Sequence, residues 1–303
     1  MEGIRQRMRF PERMVLAVAL LISGCSAGRK TAVKPAQTPV PLQTATKADL
    51  IARYDQQADA IDSLNAAVTL RLTAGSAYTG VIEQYHEVSG FILAQKPADI
   101  RVIGQVPVVG KDIFDMESDG KTFHIFVPSK NQFITGPADL ERASAKPIEN
   151  LRPQHLIDAI FWRPISPQDL VLLEEAQSAS SNFYVLTVAR AGSGNATNTD
   201  TGASLDWEIS RKVWFDRRDL SVAQIQIFET GGILASDVQY NGWDTFGAVR
   251  YPRQILLVRP LDDYRLQIGI VRLTANERVP PERFVLQQPP GTELVRVDEG
   301  PKR

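Results

Sequence analysis

Between Thr46 and Thr274 the apolar period of the chain changes several times, and each change marks an element. Leu50, Ile51, Tyr54, Ala58 and Ile61 recur at helical spacing behind Thr46 and Asp49. Those two residues are placed as a capping box, with Asp where Glu or Gln is usual. After Asp62-Ser63 the period falls to two: Val68, Leu70 and Leu72 point one way, Thr69 and Arg71 the other, as in a half-buried strand. Further strands are predicted over 81–94, 100–106, 113–118 and 122–128, with Asp119-Gly120 as a hairpin turn. From Gly136 to Pro164 the rhythm breaks at Pro137, Pro147, Pro153 and Pro164. One short helix is predicted there, over 154–162, with Pro153 in its first turn, Arg163-Pro164 at its end and Leu156, Ile157, Ile160 and Phe161 as its stripe. Strands resume over 170–176, 183–190, 207–215, 223–228, 235–240, 254–259 and 264–274, around a Gly/Asn/Thr/Ser insert at 191–204. The segment after Phe284 reads as extended.

Ten or more strands in meander order, one leading helix and one interrupting helix define an α+β chain that is mainly antiparallel β. A twisted sheet of that size curls instead of lying flat. The two helices are the only material able to cover its concave face. The expected architecture is an open, curved half-barrel covered by a leading helix and a short lid helix.

The N-terminus alters the picture. Arg5, Arg7, Arg9 and Arg13 precede an apolar run, Met14 to Ile22, well short of the roughly 20 residues that span a bilayer. This is the make-up of a secretory leader. It ends in Ile22-Ser23-Gly24-Cys25, which matches the lipobox of bacterial lipoproteins. Cys25 is the only cysteine, so no intramolecular disulfide is open to it, and acylation accounts for a lone exported thiol. The expected organisation is a leader (1–24), a lipidated Cys25 with a flexible, proline-bearing linker (25–46), a domain (47–288) and a tail (289–303). Ser26 after the cysteine leans towards the outer membrane, with the domain facing the periplasm. The four arginines and two glutamates of residues 1–24 leave with the leader, taking the formal net charge from −1 to −3. That balance argues against a nucleic-acid partner.

Catalytic and metal chemistry find little support. His86, His124 and His155 have no HxxxH or HExxH spacing, and there is no GxSxG elbow. Asp262-Asp263 and Glu174-Glu175 read as turn and surface acids, and Gly231-Gly232 as a turn. The sequence is that of a binding protein: no enzyme, no cofactor, no metal.

Several short motifs share their order with a known family. They are Lys96-Pro97-Ala98-Asp99-Ile100-Arg101, the loop Gln105-Val106-Pro107-Val108-Val109-Gly110, the Asp119-Gly120 turn, Leu156 to Pro164 (LIDAIFWRP), Tyr240-Asn241-Gly242-Trp243 and Tyr251-Pro252-Arg253. With the lipobox and linker before them, they resemble the outer-membrane lipoprotein receptor (LolB) family of the lipoprotein-carrier superfamily, over roughly residues 50–274. The chain departs from the pattern by one extra loop residue, by valine for leucine at the loop tip, by Arg163 for glycine, by the 191–204 insert and by the extension past Arg278. The resemblance implies a hydrophobic cavity for the acyl chains of lipoproteins or other lipids, a lipid anchor, and room for a periplasmic carrier protein as donor. Its inward positions are expected at Phe91, Leu93, Ile113, Phe123, Ile125, Val213, Ile225 and Ile227, with ordinary core packing as the alternative for each. Leu156, Ile160, Phe161 and Trp162 would form the lid helix, and Pro107, Val108, Val109 and Gly110 a loop that dips into the membrane. The competing readings are a tethered sensor or interaction protein on the same sheet, and a carrier of free lipid or glycolipid.

Overall fold

A computed structural model describes residues 41–75, 82–138, 150–178, 181–192 and 206–297. Cys25 and the leader, most of the linker and most of the 191–204 insert lie outside these residues.

Helix α1 (Lys47–Asp59) begins as expected. Thr46 and Asp49 close a reciprocal capping box, and the Thr46 hydrogen bonds hold the Asp49 carboxyl below its ordinary pKa. Asp serves here because its shorter side chain still reaches the Thr46 amide, at 2.9 Å. Leu50, Tyr54 and Ala58 form the buried stripe.

The strands are β1 (Ser63–Ala74), β2 (Glu83–Gln84), β3 (Val88–Gln95), β4 (Asp99–Gln105), β5 (Asp112–Ser118), β6 (Thr122–Val127) and β7 (Gln132–Pro137). Helix α2 (Pro153–Ile160) intervenes. Then come β8 (Leu170–Gln177), β9 (Asn182–Ala191), β10 (Trp207–Asp216), β11 (Val222–Glu229), β12 (Ile233–Phe246), β13 (Val249–Arg259), β14 (Tyr264–Ala275) and β15 (Glu293–Arg296). The strand expected over 81–94 is broken at 85–87, so only a two-residue β2 precedes β3. Strand β7 falls just before the prolines and was not expected; it pairs with β6 from Thr122↔Pro137 to Val127↔Gln132.

All the strands join one sheet, in the order β15-β7-β6-β5-β4-β3-β1-β14-β13-β12-β11-β10-β9-β8, with β2 beside β1. Pairing is antiparallel except for β15 on β7. The order corrects the simple meander: β1 pairs with β14 from Leu64↔Ala275 to Ala74↔Tyr264. The chain thus runs outward from β1 to β7, crosses by way of α2, and returns from β8 to β14 beside its starting strand. The sheet stays open, ending at β8 and β15 among the described residues.

Both helices pack on one face, here called the inner face. Leu64, Ala66, Val68 and Leu70 of β1 join Ile92, Ile100, Val102 and Met116 of one arm and Leu186, Val213, Ile225, Ile255 and Ile268 of the other in a single buried cluster with α1 and α2. Leu156 is fully buried at the centre of α2. Replacing Leu156 by alanine is expected to lower unfolding stability by about 2–5 kcal/mol; a urea midpoint that does not move would show that α2 is not part of the cooperative core.

Candidate functional site: inner face, lid and valine tip

The lid begins where α2 stops. Phe161 leaves the helix in an extended conformation (φ −110°, ψ 126°), which turns Phe161 and Trp162 onto the sheet. Trp162 stacks on Tyr54 of α1 at 5.4 Å and 8°, and meets Tyr240 and Trp243 of β12 edge-on at 5.2 and 5.9 Å. The indole Nε1 donates to the Tyr240 hydroxyl at 3.0 Å, and that hydroxyl donates to the Ala159 carbonyl at 2.9 Å. Tyr251 donates to the Ile160 carbonyl at 3.1 Å. A helix leaves its last carbonyls without intrahelical partners; here two buried phenols from the sheet satisfy them. Burial holds both phenols protonated, far above the ordinary tyrosine range.

A buried arginine fastens the other end of the lid. Arg211 of β10 donates Nη2 to the Pro164 carbonyl at 3.0 Å and Nη1 to the Tyr54 hydroxyl at 3.0 Å and to the Arg163 carbonyl. Asp55 of α1 accepts from the Ile165 amide at 2.8 Å. Between lid and sheet a hollow of about 210 Å³ remains, floored by Ile225 and Ile227 and edged by Asp158, Arg190 and Arg211. The lid is thus held by directional polar bonds at both ends and by aromatic contact in the middle.

The expected cavity residues divide. Val213 and Ile225 lie in the inner cluster, and Ile125 and Ile227 pack against it. Phe123 is buried apart from that cluster, under the Arg152 guanidinium at 5.0 Å. Ile113 falls at a bulge in the β4–β5 ladder, and its neighbour Phe114 takes the inward place over Gly104. A Cβ on Gly104 would come within 2.3 Å of that ring, so any larger residue there would have to displace Phe114. Phe91 and Leu93 face away from the helices. The inward residues of β3 are Ile92 and Ala94, fixed by the pairs Ala66↔Ile92 and Ile92↔Val102. Among the described residues the inner face does not hold the broad open chamber expected, because side chains of the lid and α1 pack into it.

All four lid positions, Leu156, Ile160, Phe161 and Trp162, are buried and come together on the inner face. Their partners Tyr54, Tyr240, Trp243 and Tyr251 lay in the helical stripe or in the quoted motifs, but Arg211 carried no signal. An arginine in an alternating strand reads as solvent-facing.

The loop 107–110 caps the β4–β5 hairpin, away from the lid in sequence. Val108 is fully exposed and Val109 about 75% exposed. Val108 has φ +70°, and the Val109 amide donates to the Pro107 carbonyl at 2.8 Å, forming a tight three-residue turn. The Gly110 amide reaches the Val106 carbonyl at 3.0 Å. A β-branched residue at positive φ is strained. Gly110 shares that conformation without the penalty.

Among the described residues no group of histidine, cysteine or acidic side chains can hold a metal, and no helix is long and apolar enough to cross a membrane. No protein-family profile and no curated protein sequence matches the chain. Solved structures of similar outline include a LolA superfamily protein from Nitrosomonas europaea (13% identity, TM-score 0.46, covering 80% of this chain and 99% of that one). A DUF1329 family protein from Desulfovibrio piger is similar at 12% identity and TM-score 0.47, over 78% and 95%. A putative outer membrane lipoprotein-sorting protein domain from Vibrio parahaemolyticus is similar at 7% and 0.42, over 78% and 94%.

The helix that carries the lid rests on a histidine. His155 Nδ1 and the Tyr264 hydroxyl lie 2.8 Å apart, and burial, with Arg259 and Arg152 nearby, lowers the imidazole pKa to about 2. The folded protein therefore refuses a proton that the unfolded chain accepts near pH 6.5. Stability is present above that pH and is lost as pH falls, by up to about 1.4 kcal/mol per unit. Urea midpoints at pH 7 and pH 5 should fall farther apart in the native protein than in His155→Gln; equal differences would remove His155 as the cause.

Proposed function

We propose that the protein is a membrane-tethered acceptor of acyl chains, which receives lipoproteins on its inner face and releases them into the outer membrane. The observation that carries this reading is the Val108–Val109 tip. Burying a valine side chain is worth about 1.5–3 kcal/mol, and this loop forgoes that for two neighbouring valines. It also accepts a strained φ at Val108 to project them. Among the described residues no partner offsets either cost, whereas the acyl region of a bilayer would.

The other parts suit the same task. Lipidation at Cys25 would anchor the chain, with residues 26–46 as the tether, whose described end is already tied to the domain where the Gln43 amide donates to the Arg217 carbonyl at 2.7 Å. The inner face is mainly apolar, with Arg211 buried in it, and its lid is pinned by hydrogen bonds that water can replace. A donor would be a periplasmic carrier presenting the acylated end of a lipoprotein. Ser26 after the anchor cysteine leans towards the outer membrane as the place of release.

The filled inner face favours a second reading, a tethered sensor or interaction protein whose partner is a protein. Native mass spectrometry with organic extraction of the envelope-purified protein separates the two. Bound acyl-bearing species support the acceptor, while a clean apo mass with no uptake of added lipopeptide supports the protein partner.

Val108→Glu with Val109→Glu tests the tip. The double variant should keep its thermal midpoint within a few degrees, because neither side chain is buried. Transfer of a fluorescent triacyl lipopeptide from the protein to vesicles should fall about tenfold or more, the effect of roughly 1.4 kcal/mol lost at the membrane step. Undiminished transfer would sink the role given to the loop.

A further inference from the structure

A cavity of about 790 Å³, larger than the hollow under the lid, lies on the outer face of the sheet. Strand register builds its floor from two adjacent rows. One runs Arg272–Ala67–Phe91–Ile103 and the next Thr274–Asn65–Leu93–Arg101, across β14, β1, β3 and β4. Paired residues share a face, and the short side chains of Asn65 and Ala67 leave a hollow between bulkier neighbours. The chain after β14 forms the wall. Arg101 grips Asp115 with Nε and Nη2 at 3.0 and 2.7 Å and donates Nη1 to the Arg283 carbonyl at 3.1 Å, which fixes this segment against the sheet. Phe284 is buried beneath it.

The floor is apolar, and Phe91 remains 43% exposed although it sits in one of the central strands. The mouth is charged. Arg272 and Arg283 line it with no carboxylate partner among the described residues, and Glu277 and Glu282 line it beside them. The volume falls within the range of small-molecule sites, roughly 300–1,000 Å³.

We propose that this outer cavity binds a single-chain zwitterionic phospholipid. The acyl chain lies over Phe91, Leu93 and Ile103, the phosphate meets Arg272 and Arg283, and the ammonium turns to Glu277 and Glu282. A fatty acid satisfies the floor but sets its carboxylate beside two glutamates, and free phosphate leaves the apolar floor wet. The site is separate from the inner face and needs no movement of the lid.

Equilibrium dialysis of the full chain against labelled palmitoyl lysophosphatidylethanolamine, below its micelle concentration, tests this. Palmitate, palmitoyl lysophosphatidylglycerol and inorganic phosphate serve as comparison probes. The zwitterionic probe should bind one to one and about tenfold tighter than the others, a difference of roughly 1.4 kcal/mol. Ala67→Trp, and the milder Ala67→Leu should tryptophan disturb the strand, fills the floor and should weaken binding of every chain-bearing probe. Arg272→Ala with Arg283→Ala should erase the preference for the zwitterion while palmitate still binds. No binding, equal binding of all chain-bearing probes, or binding left unchanged by both Ala67→Trp and Ala67→Leu would each overturn the proposal. None of these outcomes bears on lipopeptide transfer through the valine tip, which is read separately.

Discussion

The first strand of the domain, β1, is flanked on one side by β3, its near neighbour in sequence, and on the other by β14, some two hundred residues downstream. That second pairing joins two arms, β3 to β7 and β8 to β14, into one sheet. Without it each arm would expose a long unpaired edge, a template for aggregation. The pairing also forces the chain to cross the sheet once, from β7 at one side to β8 at the other. Helix α2 is part of that crossing. Its place over the inner face follows from connectivity as much as from its apolar stripe, and the lid follows from α2.

The two faces of the sheet are finished differently. The inner face is closed by side chains from α1 and α2, and the backbone carbonyls around the lid find partners: the last carbonyls of α2 are met by Tyr240 and Tyr251, and those of Arg163 and Pro164 by Arg211. The outer face beside β1 is closed by chain alone. The segment after β14 crosses it and ends as β15, the only parallel strand among the described residues, with Leu294↔Phe133 and Val295↔Ile134 in register. Because the crossing segment stands off the small residues Asn65 and Ala67, a cavity persists there. The contrast explains why the larger open volume lies on the face that neither α1 nor α2 covers.

Much of this was legible in the sequence wherever one period dominated. The capping box at Thr46, the stripe of α1, the short helix behind Pro153 and most strands follow from spacing that only one structure satisfies. Legibility failed where the period was silent. Phe91 to Ala94 is an unbroken apolar run, so alternation could not say which pair faces the helices; only the register Ala66↔Ile92↔Val102 decides it. Strand β7 was hidden by the proline at its end. Arg211 was hidden because a buried charge looks the same in sequence as a solvated one, and its partners, the Arg163 and Pro164 carbonyls, the Tyr54 hydroxyl and the Asp169 carboxylate, all lie more than forty residues away. The exposed valine tip was visible, since Pro107 and Gly110 bracket it, but its strain was not. A positive φ at a β-branched residue is contrary to propensity, and local sequence rules do not anticipate it.

The way the lid is held bears on whether the filled inner face can serve as a binding surface. Opening it breaks hydrogen bonds from Trp162, Tyr240, Tyr251 and Arg211, but these groups exchange protein partners for water, and each such bond is worth only about 0.5–1.5 kcal/mol net. Arg211 would regain full hydration. Re-exposing Phe161 and Trp162 is the heavier term, at roughly 3 kcal/mol each. A buried methylene returns about 0.8 kcal/mol, so an acyl chain of some fifteen methylenes returns about 12 kcal/mol and roughly offsets the aromatic pair and the lost hydrogen bonds together. A lid packed only by branched aliphatics would cost a similar amount to lift, yet nothing would hold it in one place when shut. Polar ties at both ends give a closed state that is specific without being deep, which is the balance a surface needs if it is to be occupied and emptied again.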